Sequence, residues 1–156
     1  MTLPEPHPAG VVRLYVDQPR IETPTLTTVL AAPGSVTGGE FGLFDCRTPP
    51  GAPGPGPHYH EHFTETFYVL AGRLAVRTGD DWVTAGSGDL VHVPRRGIHA
   101  FHPTGDDEVH FLILFTPGAP REEYFAEMAA LQDRAEPPTT AEIDEIAARH
   151  DQFNLR

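Results

Sequence analysis

The stretch "HYHEHFTETFYVLAG", His58 to Gly72, decides how the rest of the chain is read. Its three histidines stand at every second position. Glu65 follows, and a run rich in β-branched and aromatic residues then leads to a glycine. Side chains alternate along a strand, so His58 and His60 share one face. A rigid strand can aim two imidazoles at one point, and neutral imidazole is a common ligand of zinc, iron, nickel and copper. Glu65 differs in parity from both histidines. It joins them only if the chain turns or bulges within "EHFT". A strand that runs straight on instead points His62 inward and Glu65 outward.

On either side, from Val11 to about Thr116, short β-type runs alternate with turn residues. The expected strands are 11–16, 25–31, 40–47, 65–70, 73–78, 81–85, 89–94, 98–102 and 108–116, separated by turns such as "PGSVTGG", "TGD", "GSGD" and "PTGDD". Many short strands without intervening helices predict an antiparallel sandwich or barrel. After Pro117 the pattern changes. "PREEYFAEMAALQDRAE" opens with a proline and two glutamates, which suit a helix N-terminus, and Tyr124, Phe125, Met128 and Leu131 recur at helical spacing. "TTAEIDEIAARH" offers Thr139 and Glu142 as a capping box, with Ile143, Ile146 and Ala147 as a narrow apolar stripe. The expected organisation is an irregular arm at 1–10, a β-domain at 11–117 and a helical extension at 118–156.

Fifteen residues separate Gly72 from a second block, "GDLVHVPRRGIHAF", which begins at Gly88. Five residues separate Gly88 from Pro94, and His99 lies five positions after that proline. The His–x–His–x4–Glu–x6–Gly block together with Gly–x5–Pro and the spaced histidine resembles the two-part signature of the cupin superfamily, closely over residues 55–103. Two positions depart from it: the glycine of the second block falls one place late, at Gly97, and Pro103 replaces an asparagine often found there. Neither touches an implied ligand. The resemblance implies an all-β fold, a jelly-roll barrel with the two C-terminal α-helices packed outside. It implies His58, His60, Glu65 and His99 as ligands of one divalent transition metal ion, with iron, manganese, nickel, copper and zinc not distinguished. His62 then falls in the turn, and the N-terminal strands from Val11 extend a sheet in a homodimer.

The remaining candidates weigh less. Phe67, Val69 and Phe101 share parity with Glu65 or His99 and are expected to line an apolar pocket. "PPGAPGPGPH" (49–58) reads as a stiff extended loop at the barrel mouth. His92, His102 and His110 have no motif partners. Cys46, the single cysteine, reads as a small buried hydrophobe.

The bulk properties exclude several classes. A chain of 156 residues with 22 acidic and 11 basic side chains carries a formal charge of −11, which opposes nucleic acid and anionic membranes. No apolar run approaches the roughly 20 residues of a membrane span. With one cysteine and no apolar leader, the expected compartment is the cytoplasm. By resemblance to the quercetin-dioxygenase-like group of small bacterial cupins, the expected activity is a metal-dependent dioxygenase acting on a small aromatic or enolisable substrate. Glu65 serves there as ligand or base. The alternatives are a non-oxidative isomerase or polyketide cyclase, or a barrel that binds a small molecule without turning it over.

Overall fold

The computed structural model describes residues 8–156. Of the arm expected at 1–10, residues 1–7 lie outside the described residues, and 8–10 have no regular structure. The strands are β1 (Arg20–Glu22), β2 (Thr27–Ala32), β3 (Gly42–Thr48), β4 (His58–Tyr59), β5 (Thr64–Ala71), β6 (Arg73–Thr78), β7 (Asp81–Ala85), β8 (Leu90–Val93), β9 (His99–Thr104) and β10 (Val109–Thr116). Two helices, α1 (Arg121–Gln132) and α2 (Thr140–Arg149), and a last short strand, β11 (Phe153–Asn154), complete the chain.

The strands form two antiparallel sheets, ordered β1-β2-β3-β10-β5-β8 and β11-β4-β9-β6-β7. Period-two burial is clear in β10, where Val109, Phe111, Ile113 and Phe115 are buried and the residues between them are less so. The same alternation turns Phe44 and Cys46 inward from β3, and Glu65, Phe67 and Val69 inward from β5. The opposite sheet contributes Leu74, Val76 and Phe101 to one common core. Each fully buried side chain of this size adds roughly 1.5–3 kcal/mol. This is the expected jelly-roll barrel, with both helices outside its sheets. Thr139 and Glu142 form the expected capping box at the start of α2. Among the described residues no helix is long and apolar enough to cross a membrane.

The structure corrects the strand expected at 11–16. Residues 11–14 are irregular and Tyr15–Asp17 form a 3-10 turn. Val11, Val12, Leu14 and Val16 are exposed. A β-branched run becomes a strand only where a neighbour completes its ladder. Here β1 takes the sheet edge instead, pairing Arg20, Ile21 and Glu22 with Val29, Thr28 and Thr27.

Two short elements go beyond the sequence reading: β1 and β11. The latter matters more. The chain returns from α2 to the barrel, and β11 pairs Phe153 with Tyr59 and Asn154 with His58. The C-terminal segment therefore ends as an edge strand beside the first histidine.

The proline-rich loop meets the barrel at Gly54, whose φ is +65°. A Cβ there would lie 1.8 Å from the Phe101 carbonyl oxygen. Gly51 also has positive φ, +78°, but open space around it. Gly51→Ala should cost about 1 kcal/mol from backbone strain alone. Gly54→Ala should cost about 3 kcal/mol or more, because two backbones must also part. Chemical denaturation of both variants checks this; equal losses would refute the close-approach argument.

Candidate metal centre

Glu65 enters the interior because the chain bends at Glu61 and His62 before β5 begins at Thr64. That bend resolves the parity conflict. His58, His60 and Glu65 are all buried, whereas His62 is exposed and bonds Asp151 through Nδ1 at 2.9 Å. His99 arrives from the facing strand, directly opposite His58 in the β4–β9 pair. One ligand atom from each of His58, His60, Glu65 and His99 lies within 4.8 Å of all the others.

Each imidazole is aimed from behind. His58 Nδ1 lies 2.8 Å from the Gly56 carbonyl oxygen, His60 Nδ1 2.7 Å from that of Asp151, and His99 Nδ1 3.0 Å from that of Gly97. A carbonyl only accepts, so in each case Nδ1 carries the proton and Nε2 is left facing the cluster. Two of these Nε2 atoms meet the same carboxylate oxygen: Glu65 Oε2 is 3.0 Å from His60 Nε2 and 2.7 Å from His99 Nε2. Lone pairs facing a carboxylate at that separation call for a positive charge among them. A proton supplies it in one state. A divalent ion, which takes imidazole nitrogen and carboxylate oxygen alike, fits the same donor set.

The titration tendencies agree with the geometry. Burial holds His58 down at about 3, helped by the neighbouring His99. Burial also pushes His99 down, but the Glu65 charge and hydrogen bond outweigh it and raise the group. For Glu65, burial acts to raise the carboxyl, yet His99 and His60 win and hold it well below the usual range. The cluster thus keeps a carboxylate charged in a site that water scarcely reaches.

The second motif block is tied to the first. Arg96 N–H donates to the His60 carbonyl at 2.6 Å. Arg96, at φ 65°, takes the left-handed position of the turn. Gly97 is required for space instead, since a Cβ there would sit 2.9 Å from both Pro94 O and Val93 Cγ1. The displaced glycine therefore still delivers its carbonyl to His99.

A cavity of about 490 Å³ opens beside His58 and Glu65. Phe101, Ile113 and Phe115 form part of its wall, and Pro53–Pro57 its rim, as expected for the loop. Phe67 and Val69 do not line the cavity: both are fully buried in the core, with the Phe67 ring 6.2 Å from His99 and 5.0 Å from Phe101. Parity sets the face of a strand but not the depth at which packing closes over a side chain. His92, His102 and His110 bond Thr66, the Pro103 carbonyl and Asp45, away from the cluster. Cys46 is buried in the core, and burial pushes its thiol far above the usual range.

Two contributors escaped the sequence reading. Asp151, at φ 57°, gives its carbonyl to His60 while its carboxylate takes the N–H groups of Glu61 and His62. Arg121, the first residue of α1, lines the cavity with Tyr124, Phe125 and Met128. One signal for it was present. A cation in the first turn of a helix opposes the dipole, so it needs another reason to be there.

A cupin-domain family model matches residues 44–115. A 44-residue stretch is 41% identical to quercetin 2,3-dioxygenase of Bacillus subtilis (strain 168). It covers 28% of this chain, and the chain spans about 13% of the length of that relative. Among solved structures, KdgF from Halomonas sp. superposes with a TM-score of 0.61 at 18% identity, over 70% of this chain and 94% of its own. A predicted oxalate decarboxylase from Thermotoga maritima gives 0.61 at 19%, over 69% and 99%. Pac13, described as a nucleoside dehydratase, gives 0.56 at 13%, over 70% and 83%. At such identities these likenesses are of fold. Residues 44–115 match the cupin-domain family, and the chain shares its fold with these solved structures.

Proposed function

We propose that this protein is a metal-dependent dioxygenase acting on a small aromatic or enolisable compound. The observation that carries the reading is the buried cluster itself: three imidazole Nε2 atoms and one carboxylate, aimed at one point beside an apolar-walled cavity. His58, His60, Glu65 and His99 would hold the ion. When bound, it would act as a Lewis acid for a substrate oxygen and, if redox-active, bring dioxygen into play. The chain's own residues do the rest. Phe101 and Phe115 offer ring faces to a flat substrate. The helix α1 and the proline-rich rim restrict water. Glu65, held as a carboxylate, can accept the proton that a substrate hydroxyl or activated C–H loses on enolisation. The local likeness to quercetin 2,3-dioxygenase supports the oxidative form of the reaction. A non-oxidative form, with a carbonyl polarised and no oxygen used, is the second reading; the fold it shares with a nucleoside dehydratase and a predicted decarboxylase favours it. A homodimer belongs to the proposal, supported by the exposed Val11, Val12, Leu14 and Val16.

His60→Ala should abolish stoichiometric metal uptake, whereas His62→Ala should leave it unchanged; elemental analysis of the two purified variants decides. Equal metal contents would refute the ligand assignment.

The raised pKa of His99 gives a signed pH dependence. In the metal-free protein the extra stability from His99 is present below the ordinary histidine value and lost as pH rises through the raised one. Metal must displace that proton. Uptake should therefore release protons to the buffer near neutrality and weaken as pH falls. Glu65→Gln should lower the His99 pKa, read by imidazole NMR in the metal-free state. An unchanged titration would show that Glu65 does not govern it.

Oxygen separates the two readings. Samples loaded with iron, manganese, nickel or copper should consume oxygen in proportion to product when screened with flavonols, catechols and 1,3-diketones. Equal conversion without oxygen would replace the dioxygenase by an isomerase or cyclase.

A further inference from the structure

Arg121 is 3% exposed, and its charge lacks an anionic partner. Nη1 donates to the His150 carbonyl at 3.0 Å and Nη2 to Gln152 Oε1 at 2.9 Å, both neutral acceptors. Its Nε–H has no acceptor. Of the other ten arginines, Arg47, Arg77, Arg134, Arg149 and Arg156 each lie against a carboxylate, and Arg13, Arg20, Arg73, Arg95 and Arg96 are exposed or half-buried, where water can solvate them. Burial normally demands more compensation, not less.

Four aromatic rings surround the guanidinium. Its central carbon is 3.9 Å from the Tyr124 ring centre, 5.2 Å from Phe115, 5.5 Å from Phe63 and 5.7 Å from Phe125. These faces partly offset the charge and hold the plane of the fork in place, but they do not neutralise it. Glu65, which acts on Arg121 only through space, is already bonded to His60 and His99. The second arginine of the cavity lining, Arg156, is bound to Asp144 at 2.7 Å.

We propose that Arg121 is the anion-binding group of the cavity, and that the compound bound there is a monocarboxylate on a small apolar or aromatic body. Its carboxylate sits at Arg121 and its other end faces His58 and Glu65. The proposal rests on the reading of the cavity as a substrate site and narrows it. A guanidinium fork matches a carboxylate geometrically. A single uncompensated positive charge suits a single negative one, and the neighbouring Glu65 together with the net charge of −11 disfavours a dianion such as phosphate. The apolar walls at Phe101, Ile113 and Phe115 suit the remainder of the molecule.

The test uses benzoate and benzyl alcohol, which share a ring and differ in charge. Calorimetric titration is run on the full chain, metal-free and zinc-loaded. Metal-free wild type should bind benzoate at least about tenfold more tightly than benzyl alcohol, and Arg121→Gln should bring the two within about twofold while retaining zinc. Equal binding of both probes by wild type would overturn the proposal. So would a preference seen only with zinc, which would place the carboxylate on the metal. A folded Arg121→Gln that keeps the preference would overturn it too. If that variant does not fold, Arg121→Lys decides. It keeps the charge and loses the fork, so benzoate should weaken several-fold with benzyl alcohol unchanged; wild-type affinity for benzoate would refute the assignment. A charge preference in the metal-free protein with no turnover under any metal would leave this inference standing and remove the enzymatic reading.

Discussion

Three backbone carbonyls govern this molecule's interior. Gly56, Asp151 and Gly97 each accept an Nδ1–H and so fix the tautomer and direction of His58, His60 and His99. With those protons committed outward, the inner nitrogens face one another and Glu65. The arrangement is costly without a cation, and the fold around it is built to hold it regardless. His58 and His99 are fixed by strand pairing. Glu65 is fixed by β5, whose next inward residues, Phe67 and Val69, are sealed in the core. A side chain anchored to the core two residues away has little freedom to turn its carboxylate toward solvent.

The carbonyl of Asp151 comes from far along the chain, and this explains the C-terminal architecture. After α2 the backbone turns at His150 and Asp151, runs beside His58 and Tyr59 as β11, and gives the Leu155 N–H to the Pro57 carbonyl. The same short segment supplies both acceptors of the Arg121 fork. One stretch of backbone therefore positions a member of the histidine cluster and the buried guanidinium together. A displacement of the tail would disturb both, so α1 and α2 belong to the architecture of the cavity even though they lie outside the sheets.

What could be read from the sequence follows the range of the interactions involved. The cluster was legible through the resemblance: strand parity alone left Glu65 and His62 as alternatives, and the two cupin-like motif blocks implied His58, His60, Glu65 and His99 together. Strands set off by clear turn residues, such as β6 and β7 on either side of Gly79 and Asp80, appeared with the expected bounds. The run 11–16 misled because its residues have strand character but no partner ladder, and partners are not written locally. Asp151 and Arg121 were missed for a related reason. The His60–Asp151 bond spans 91 positions and that of Arg121 with Gln152 spans 31; neither leaves a periodic trace. For Phe67, alternation gave the correct face, while depth came from the Phe101 and Phe111 rings that pack against it.

Charge balance links the two halves of the cavity. The cluster accommodates a cation beside one carboxylate, and Arg121 places a second positive charge in the same desolvated space. In a low-dielectric interior such charges reinforce one another's cost unless anions enter. On the proposed reading, a divalent ion together with the guanidinium leaves the interior positive even after Glu65 is counted. A ligand that brings a carboxylate and develops a second negative charge on an oxygen near the cluster relieves that excess at both ends. Binding then favours the ionised form of the substrate oxygen over its neutral form, because only the former completes the balance. The exterior works in the opposite sense. A strongly acidic surface repels polyanions but little impedes a small monoanion at physiological salt, where fields fade over about 8 Å. The buried arginine thus offers a local attraction that the surface as a whole does not, and selection by charge takes place inside the barrel.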